Sequence, residues 1–302
     1  MRQWLNLNLI IVGSLVTAAG TVLAGPTETN STTGQSEKDV DIGGRTLHLA
    51  TYGNGSLPVV VEAGLGEPGV EGGTWKAVID GVDKNTTVCV YDRAGLGKSS
   101  AVTNAFRTSE DVVRDLHALL ENAKIAPPYI LVGHSVGGFT VRLYAARYPS
   151  EVRGMVLVDS SYPGQWSQWL AALPPESSSE PESVKKARAF LAGQIADPKS
   201  NPEHLDLVAS GNEVSTVTNL GDIPLVVISH SPQWRMEPTL PNYVSDKLEQ
   251  LWEQWQNNLC QLSTKSSHQV AQKAGHYIQP QEPQLVIDAI QKVEAAARNK
   301  GR

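Results

Sequence analysis

The feature that most constrains the fold of this chain is the alternation of short apolar runs with helical stretches over residues 40–297. An opening hairpin is expected at residues 40–42 and 46–52, and a last strand is expected near Val270. Five further runs of strand length are continuously apolar: residues 57–62, 87–91, 129–132, 154–158 and 224–228. Such runs are typical of parallel strands covered on both faces. The pattern predicts an α/β fold with a mostly parallel eight-stranded sheet and helices on both faces.

Apolar residues at helical spacing mark the segments between these strands. Helices are expected over residues 112–120, 136–147 and 248–262, and Ser109 is a plausible cap for the first of them. The last helix is expected to begin at Pro283.

Residues 162–220 interrupt this rhythm and are called the cap segment below. They contain a Pro-Pro pair, a run rich in Ser and Glu, and a helical piece at residues 184–195. We expect a helical cap, inserted after the sixth strand, that lies over the mouth of the site. A solvated surface excursion is the alternative.

The first 24 residues differ in composition from the rest of the chain. Arg2 precedes a mostly apolar stretch, and Val22 and Ala24 suit the −3 and −1 subsites of a signal peptidase. We predict a signal peptide at residues 1–24 and a secreted or periplasmic protein that has no stable membrane insertion after cleavage. An uncleaved anchor is the alternative, although the apolar run is short for a full span. Residues 25–38 predict a flexible leader, and residues 39–302 the folded domain.

Composition excludes some partners. The net charge is −6, and no run of Lys or Arg forms a stripe that could bind phosphates, so nucleic acid is not an expected partner. Export would permit a disulfide between Cys89 and Cys260. Because Cys89 lies within an apolar strand, we favour two free thiols.

The strongest chemical motif is the sequence Gly-His-Ser-Val-Gly at residues 133–137. An apolar strand leads directly into it and a helical stretch follows, which is the strand, sharp turn and helix that a nucleophile elbow needs. Glycines at 133 and 137 leave room where the turn meets the neighbouring strand and helix. The amino terminus of the helix favours an oxyanion. These features predict Ser135 as a nucleophile.

This segment resembles the nucleophile elbow of the α/β-hydrolases that use serine, an esterase- and lipase-like group, and the similarity covers most of residues 40–297. Residues 92–99, Asp-Arg-Ala-Gly-Leu-Gly-Lys-Ser, look like the family's loop after its fourth strand. Residues 62–66 occupy the place of its oxyanion loop, with Ala63 where the family commonly has His. The resemblance implies an oxyanion hole formed by the backbone N–H groups of Leu65 and Val136.

A serine hydroxyl needs a base within hydrogen-bonding reach. The resemblance implies His276, which lies between the last expected strand and the terminal helix, and His268 is a weaker candidate. His230 is expected to be a loop residue after the seventh strand. Within residues 92–99, our interpretation of Asp92 and Arg93 is a structural ion pair.

The sequence leaves the acid of the site open. The family commonly carries it a few residues after the seventh strand, but no carboxylate appears there before Glu237. Some members carry it after the sixth strand, where Asp159 lies. We favour Asp159, with Glu237 as the alternative acid and a loop-bracing role as the alternative for Asp159.

Serine rather than aspartate at the elbow argues against haloalkane dehalogenase and epoxide hydrolase chemistry. It implies acyl transfer: attack on a carbonyl, an acyl-enzyme on Ser135, and release by water activated through His276. We therefore predict a serine hydrolase of small-molecule carboxylic esters that needs no cofactor and no metal. Lactones, thioesters or peptides are alternative substrates, and a non-catalytic small-molecule receptor on the same fold is the alternative function.

Overall fold

The computed structural model describes residues 35–299 apart from residues 83, 85 and 105. The predicted signal peptide and residues 25–34 of the predicted leader lie outside the described residues. The strands are β1 (Ser36–Asp41), β2 (Thr46–Tyr52), β3 (Val59–Glu62), β4 (Val88–Tyr91), β5 (Tyr129–His134), β6 (Val152–Val158), β7 (Leu225–Ser229) and β8 (Ser266–Val270). They form one open sheet in the order β1-β2-β4-β3-β5-β6-β7-β8.

The sheet is antiparallel at one end and parallel over the rest. Strand β2 pairs antiparallel with β1 and β4, whereas β4, β3, β5, β6, β7 and β8 run parallel to one another. Strands β3, β4 and β5 are buried along their whole length, which explains their continuous apolar sequences. The predicted eight-stranded, mostly parallel sheet is confirmed.

One predicted boundary is wrong. Strand β1 begins at Ser36 and pairs with β2 from Ser36 opposite Thr51 to Asp41 opposite Thr46, so residues 36–38 belong to the sheet and not to a leader. Composition hides this strand because it lies at the sheet edge, where only Val40 is buried.

Helices cover both faces of the sheet. They are α1 (Lys76–Val82), α2 (Ser109–Ala123), α3 (Gly137–Arg147), α4 (Gln165–Ala172), α5 (Glu182–Ala196), α6 (Leu207–Ser215), α7 (Asn242–Leu259), α8 (Ile278–Gln281) and α9 (Pro283–Asn299). Short 3-10 turns lie at Pro149–Glu151, Pro198–Ser200 and Cys260–Leu262. Successive strand residues face opposite cores: Val60 packs with α2 and α3, whereas Val59 and Val61 pack with α1 and α9.

The predicted cap of the second helix is displaced by one residue. Thr108 is the N-cap, and its backbone N–H donates to Asp111 Oδ2 over 2.8 Å. Ser109 is the first helical residue, and its N–H donates to Ser210 Oγ of α6 over 2.9 Å. The amino terminus of α2 is therefore stabilised both by the local carboxylate of Asp111 and by Ser210 of the cap segment.

The cap segment contains α4, α5 and α6 between β6 and β7. Helix α6 packs on α2 and α3, and a short bridge pairs Arg107 with Leu205. Both cysteines are free thiols, as predicted, with Cys89 buried in β4. Within the described residues, no helix combines the length and the apolar character needed to cross a bilayer.

Candidate active site

Ser135 lies in a sharp turn between β5 and α3. Its φ is +53°, a left-handed conformation that is unfavourable for residues with a Cβ. A Cβ on Gly137 would lie 2.4 Å from the carbonyl oxygen of Glu62, and one on Gly133 would lie 2.7 Å from Val141 Cγ2. The two flanking glycines therefore let the turn pack directly against β3 and α3, as the elbow motif predicts.

Three neighbouring parallel strands bring their following residues to one edge of the sheet. The Ser135 N–H donates to the Val158 carbonyl over 3.2 Å, and the Asp159 N–H donates to the Ile228 carbonyl over 2.7 Å. Ser135, Asp159 and His230 therefore follow β5, β6 and β7 side by side. This is the edge at which ligands bind in open α/β sheets.

His276 lies in the loop after β8, and its ring contacts Asp159. Nδ1 is 2.6 Å from Asp159 Oδ2, so Nδ1 donates to the carboxylate and Nε2 is the nitrogen left for Ser135. The carbonyl of His276 accepts from His134 Nε2 over 2.9 Å, which ties the loop to the residue before Ser135. Glu237, by contrast, accepts from the N–H and the hydroxyl of Thr239.

The Asp159 carboxylate is fully buried and accepts from four donors. Besides His276, these are the His230 backbone N–H at 2.9 Å, His230 Nδ1 at 3.0 Å and Trp252 Nε1 at 3.0 Å. Burial raises the pKa of Asp159, but the charge of His230 and the hydrogen bonds from His230 and His276 outweigh it and hold the pKa well below its usual range. Asp159 is therefore ionised at neutral pH.

His276 itself is a neutral base at neutral pH. Burial is the largest cause that lowers the pKa of His276, and the charges of His134 and His230 lower it further against the opposing effect of Asp159. An unprotonated imidazole can accept a proton from a hydroxyl.

The loop after β3 leaves one amide free between two that are occupied. The Gly64 N–H donates to Glu67 Oε2 over 3.0 Å, and the Gly66 N–H donates to Glu203 Oε1 over 2.7 Å. Leu65, between them, donates no backbone hydrogen bond among the described residues. The N–H of Val136, at the start of α3, donates none within that same part of the chain either. These are the two amides that the sequence suggested for an oxyanion.

Buried Arg93 holds this loop in place from below. Its guanidinium donates to the carbonyls of Ala63 at 2.6 Å and Gly64 at 2.5 Å. It also forms ion pairs with Glu203, from Nε to Oε2 over 2.5 Å, and with Glu62, from Nη1 to Oε1 over 3.0 Å. Because Glu203 belongs to the cap segment, the cap segment and the loop share one buried cation.

The expected ion pair between Asp92 and Arg93 is wrong. Asp92 instead accepts from the backbone N–H groups of Val70 at 2.8 Å and Lys98 at 3.1 Å. The guanidinium of Arg93 turns under the loop after β3, where two other carboxylates and two carbonyls satisfy it.

The carboxylates of Glu67 and Glu249 were not expected at the site from the sequence, and His230 was expected only as a loop residue. His230 is a loop residue after β7, as expected, but it is buried between Asp159 and Glu249 of α7. Glu67 contacts His134 Nδ1 at 3.2 Å and the Gly64 amide. One feature of the sequence could have indicated the role of His230: it follows the seventh strand, where the family commonly carries its acid.

Known proteins are similar to this chain in sequence. The family model described as "alpha/beta hydrolase fold" matches residues 58–258. The uncharacterized protein YqjL of Bacillus subtilis is 29% identical over 265 residues, covering 86% of this chain and 93% of YqjL. A (lyso)-N-acylphosphatidylethanolamine lipase of Bos taurus is 31% identical over 148 residues, covering 48% of this chain and 39% of the lipase.

A solved structure agrees. A thermophilic esterase from Thermogutta terrifontis superposes with a TM-score of 0.57 at 19% identity, covering 87% of this chain and 99% of the esterase. At this identity the likeness shows the fold alone, and the chemistry depends on the residues at the strand ends. The match of the family model over two thirds of the sequence, together with the sheet order and the elbow, shows that the chain belongs to the α/β-hydrolase family.

Proposed function

We propose that this protein is a serine hydrolase that cleaves carboxylic esters of small molecules through an acyl-enzyme on Ser135. The observation that carries the proposal is the 2.6 Å contact between His276 Nδ1 and Asp159 Oδ2, beside an elbow that presents Ser135. A hydrolase agrees with the family, and the lipase among the sequence relatives favours an ester substrate.

In the proposed reaction, His276 Nε2 takes the proton of the Ser135 hydroxyl as Oγ attacks the ester carbonyl carbon. The tetrahedral oxyanion accepts hydrogen bonds from the N–H groups of Leu65 and Val136. The intermediate collapses by breaking the bond to the alcohol oxygen, which receives the proton from His276. Water then attacks the acyl-enzyme with His276 again as base, and the carboxylic acid leaves. Ionised Asp159 stabilises the imidazolium in both steps.

A fluorophosphonate probe and p-nitrophenyl esters of increasing acyl length test this function. We expect the folded protein to be labelled and to turn over the esters, and Ser135→Ala to remove both activities. A folded protein that neither reacts with the probe nor hydrolyses any ester would contradict the proposal and favour a binding protein on the same fold.

A matched pair of variants tests the acid. Asp159→Asn is expected to lower kcat by roughly 10⁴, the order seen when a triad acid is neutralised. Glu237→Gln is expected to leave kcat unchanged, because the Glu237 carboxylate accepts from the N–H and the hydroxyl of Thr239 and not from His276. The opposite ranking would overturn the assignment of Asp159.

We also propose that residues 1–24 direct export and are removed, so that the mature protein begins at Gly25 and is secreted or periplasmic. Amino-terminal sequencing of the protein recovered from the producing cells tests this proposal. Recovery of an intact Met1 terminus from the membrane fraction would contradict it.

A further inference from the structure

A second polar chain lies behind the contact between His276 and Asp159. The His230 ring places Nδ1 3.0 Å from each Asp159 carboxylate oxygen and Nε2 2.9 Å from Glu249 Oε2. Carboxylates only accept hydrogen bonds, so each ring nitrogen must carry a hydrogen to bond with the oxygen it faces. The geometry therefore corresponds to an imidazolium held between two carboxylates.

The surroundings of His230 also suit a cation. The ring stacks on the indole of Trp252 with centroids 5.7 Å apart and planes 15° apart. The indole of Trp234 meets it edge-on at 4.7 Å. Aromatic faces attract a desolvated cation, and the His230 side chain is only 5% exposed.

We propose that His230 is a positioning residue that stays protonated and, together with Glu249, sets the basicity of His276. It acts through Asp159, which both His230 and His276 contact. This inference rests on the proposed hydrolase function. His230 follows β7, where the family commonly carries its acid, so a cation fills that place and the carboxylate lies one strand away.

The charges around His276 explain why a cation is useful there. Asp159 faces it directly and favours its protonated form, as would Glu249 behind it. His230 lies between these two carboxylates and offsets them. The His134 ring, which pairs with Glu67 at 3.2 Å, also lies near His276, with ring centroids 4.7 Å apart. A neutral His230 would leave the charges of Asp159 and Glu249 without the cation that offsets them. The protonated form of His276 would then be favoured.

The ionisation of the groups agrees with this arrangement. Burial lowers the pKa of His230, but the charges of Asp159 and Glu249 and their hydrogen bonds outweigh it and raise the pKa to about 10. The same charge of His230 contributes to the lowered pKa of His276. His230 therefore stays charged throughout the pH range in which His276 changes its protonation.

Two substitutions move the titration of His276 in opposite directions. His230→Gln removes the cation, keeps a donor for Asp159, and is expected to move the acid limb of kcat/KM for ester hydrolysis up by roughly one pH unit. Glu249→Gln removes the more distant carboxylate and is expected to move the limb to lower pH. A merely structural role would lower activity at every pH without moving the limb.

His117→Gln is the matched control. His117 on α2 also faces two carboxylates, with Nδ1 3.5 Å from Glu121 and Nε2 3.3 Å from Glu151, but its ring stacks on Tyr148, just after α3, with centroids 4.0 Å apart. Its substitution is expected to leave the acid limb in place. A comparable movement in this control would show that general charge, rather than the contact with Asp159, shifts the titration.

NMR of isotope-labelled histidines tests the proposal without any turnover. In the Ser135→Ala protein, His230 is expected to remain doubly protonated from pH 5 to about pH 9, and the titration of His276 to rise with His230→Gln. A neutral His230 ring at pH 7, or an unmoved His276 titration, would overturn the proposal. If these resonances behave as expected while the wild-type protein hydrolyses no ester, the proposed function fails and the charge assignment holds. Should His230→Gln not fold, the His230 resonance of the otherwise unchanged site still decides the question.

Discussion

Replacing Glu203 by Gln perturbs the cap segment and the loop after β3 through one buried ion pair. Glu203 receives Arg93 through two hydrogen bonds, of 2.5 and 2.9 Å, and also receives the Gly66 N–H at 2.7 Å. The side chains of Arg93 and Glu203 are 4% and 0% exposed. The isosteric amide keeps the volume but removes the charge, and it turns an N–H toward the guanidinium.

The expected cost follows from burial. Removing one partner of a buried ion pair costs about 3–5 kcal/mol, because the remaining charge is left without compensation. Glu62 stays 3.0 Å from Arg93, and the amide oxygen can still accept from Gly66, so we expect the lower end of that range, about 3 kcal/mol. For a domain of this size that corresponds to a fall in Tm of about 6–12 °C.

Urea and thermal unfolding monitored by tryptophan fluorescence measure this loss. Asp80→Asn is the matched control, since it neutralises a carboxylate in the surface pair with Lys76, whose side chains are 51% and 75% exposed. We expect that control to cost about 0.5 kcal/mol or less. A Glu203→Gln protein within 1 kcal/mol of the wild type would refute the argument that this pair is an electrostatic anchor.

Three further predictions follow from the site and its packing. Because burial lowers the pKa of His276, kcat/KM for an ester is expected to fall toward acid with a midpoint below the ordinary histidine value of about 6.5; a midpoint above it would contradict the assignment. In the native protein His230 keeps its proton up to about pH 10, whereas in the unfolded chain His230 releases it near pH 6.5. Between these two pH values the unfolding free energy is therefore expected to fall as the pH rises, by up to about 1.4 kcal/mol per pH unit. Urea titrations should show that decline, and His230→Gln should flatten it. Gly137→Ala places a Cβ 2.4 Å from the Glu62 carbonyl and is expected to abolish turnover or folding, whereas Gly193→Ala, which meets nothing within 4 Å, is expected to stabilise α5 by about 0.5–1 kcal/mol in the same unfolding assay.

The sequence predicted the sheet because its central strands are buried on both faces and therefore apolar throughout. Strands β3, β4 and β5 can be recognised from their own sequences, without knowing which strands they pair with, because both of their faces are buried. Strand β1 is the counterexample. Five of its six residues are exposed, so its pairing with β2 leaves almost no apolar pattern in the sequence.

The elbow was equally predictable, because its requirements are local. A strand, a helix and two glycines within five residues determine where Ser135 lies, and steric contact with the Glu62 carbonyl explains one of those glycines. The partner of His276 could not be deduced in this way. Its contact with Asp159 joins residues 117 positions apart, and only the neighbouring order of β6, β7 and β8 brings them together.

The pairing of the buried charged residues was the hardest feature to predict, because their partners lie far away in the sequence. Arg93 was expected to pair with its chain neighbour, yet its carboxylate in the cap segment lies 110 positions away. The position of His230 was predicted correctly, but its charge depends on Glu249, which a different helix supplies. Protonation depends on the whole surroundings of a group, and those surroundings exist only after folding.

The acid after β6 and the histidine after β7 are interdependent in this site. A carboxylate at position 230 would stand within hydrogen-bonding distance of Asp159, where two like charges force one group to take a proton. A small neutral residue there would remove the His230 ring donor from Asp159 and leave His276 more strongly basic. A protonated histidine supplies the donor, offsets the charge and is itself held by Glu249. The position that first made the acid of this chain difficult to identify therefore helps Asp159 to remain ionised.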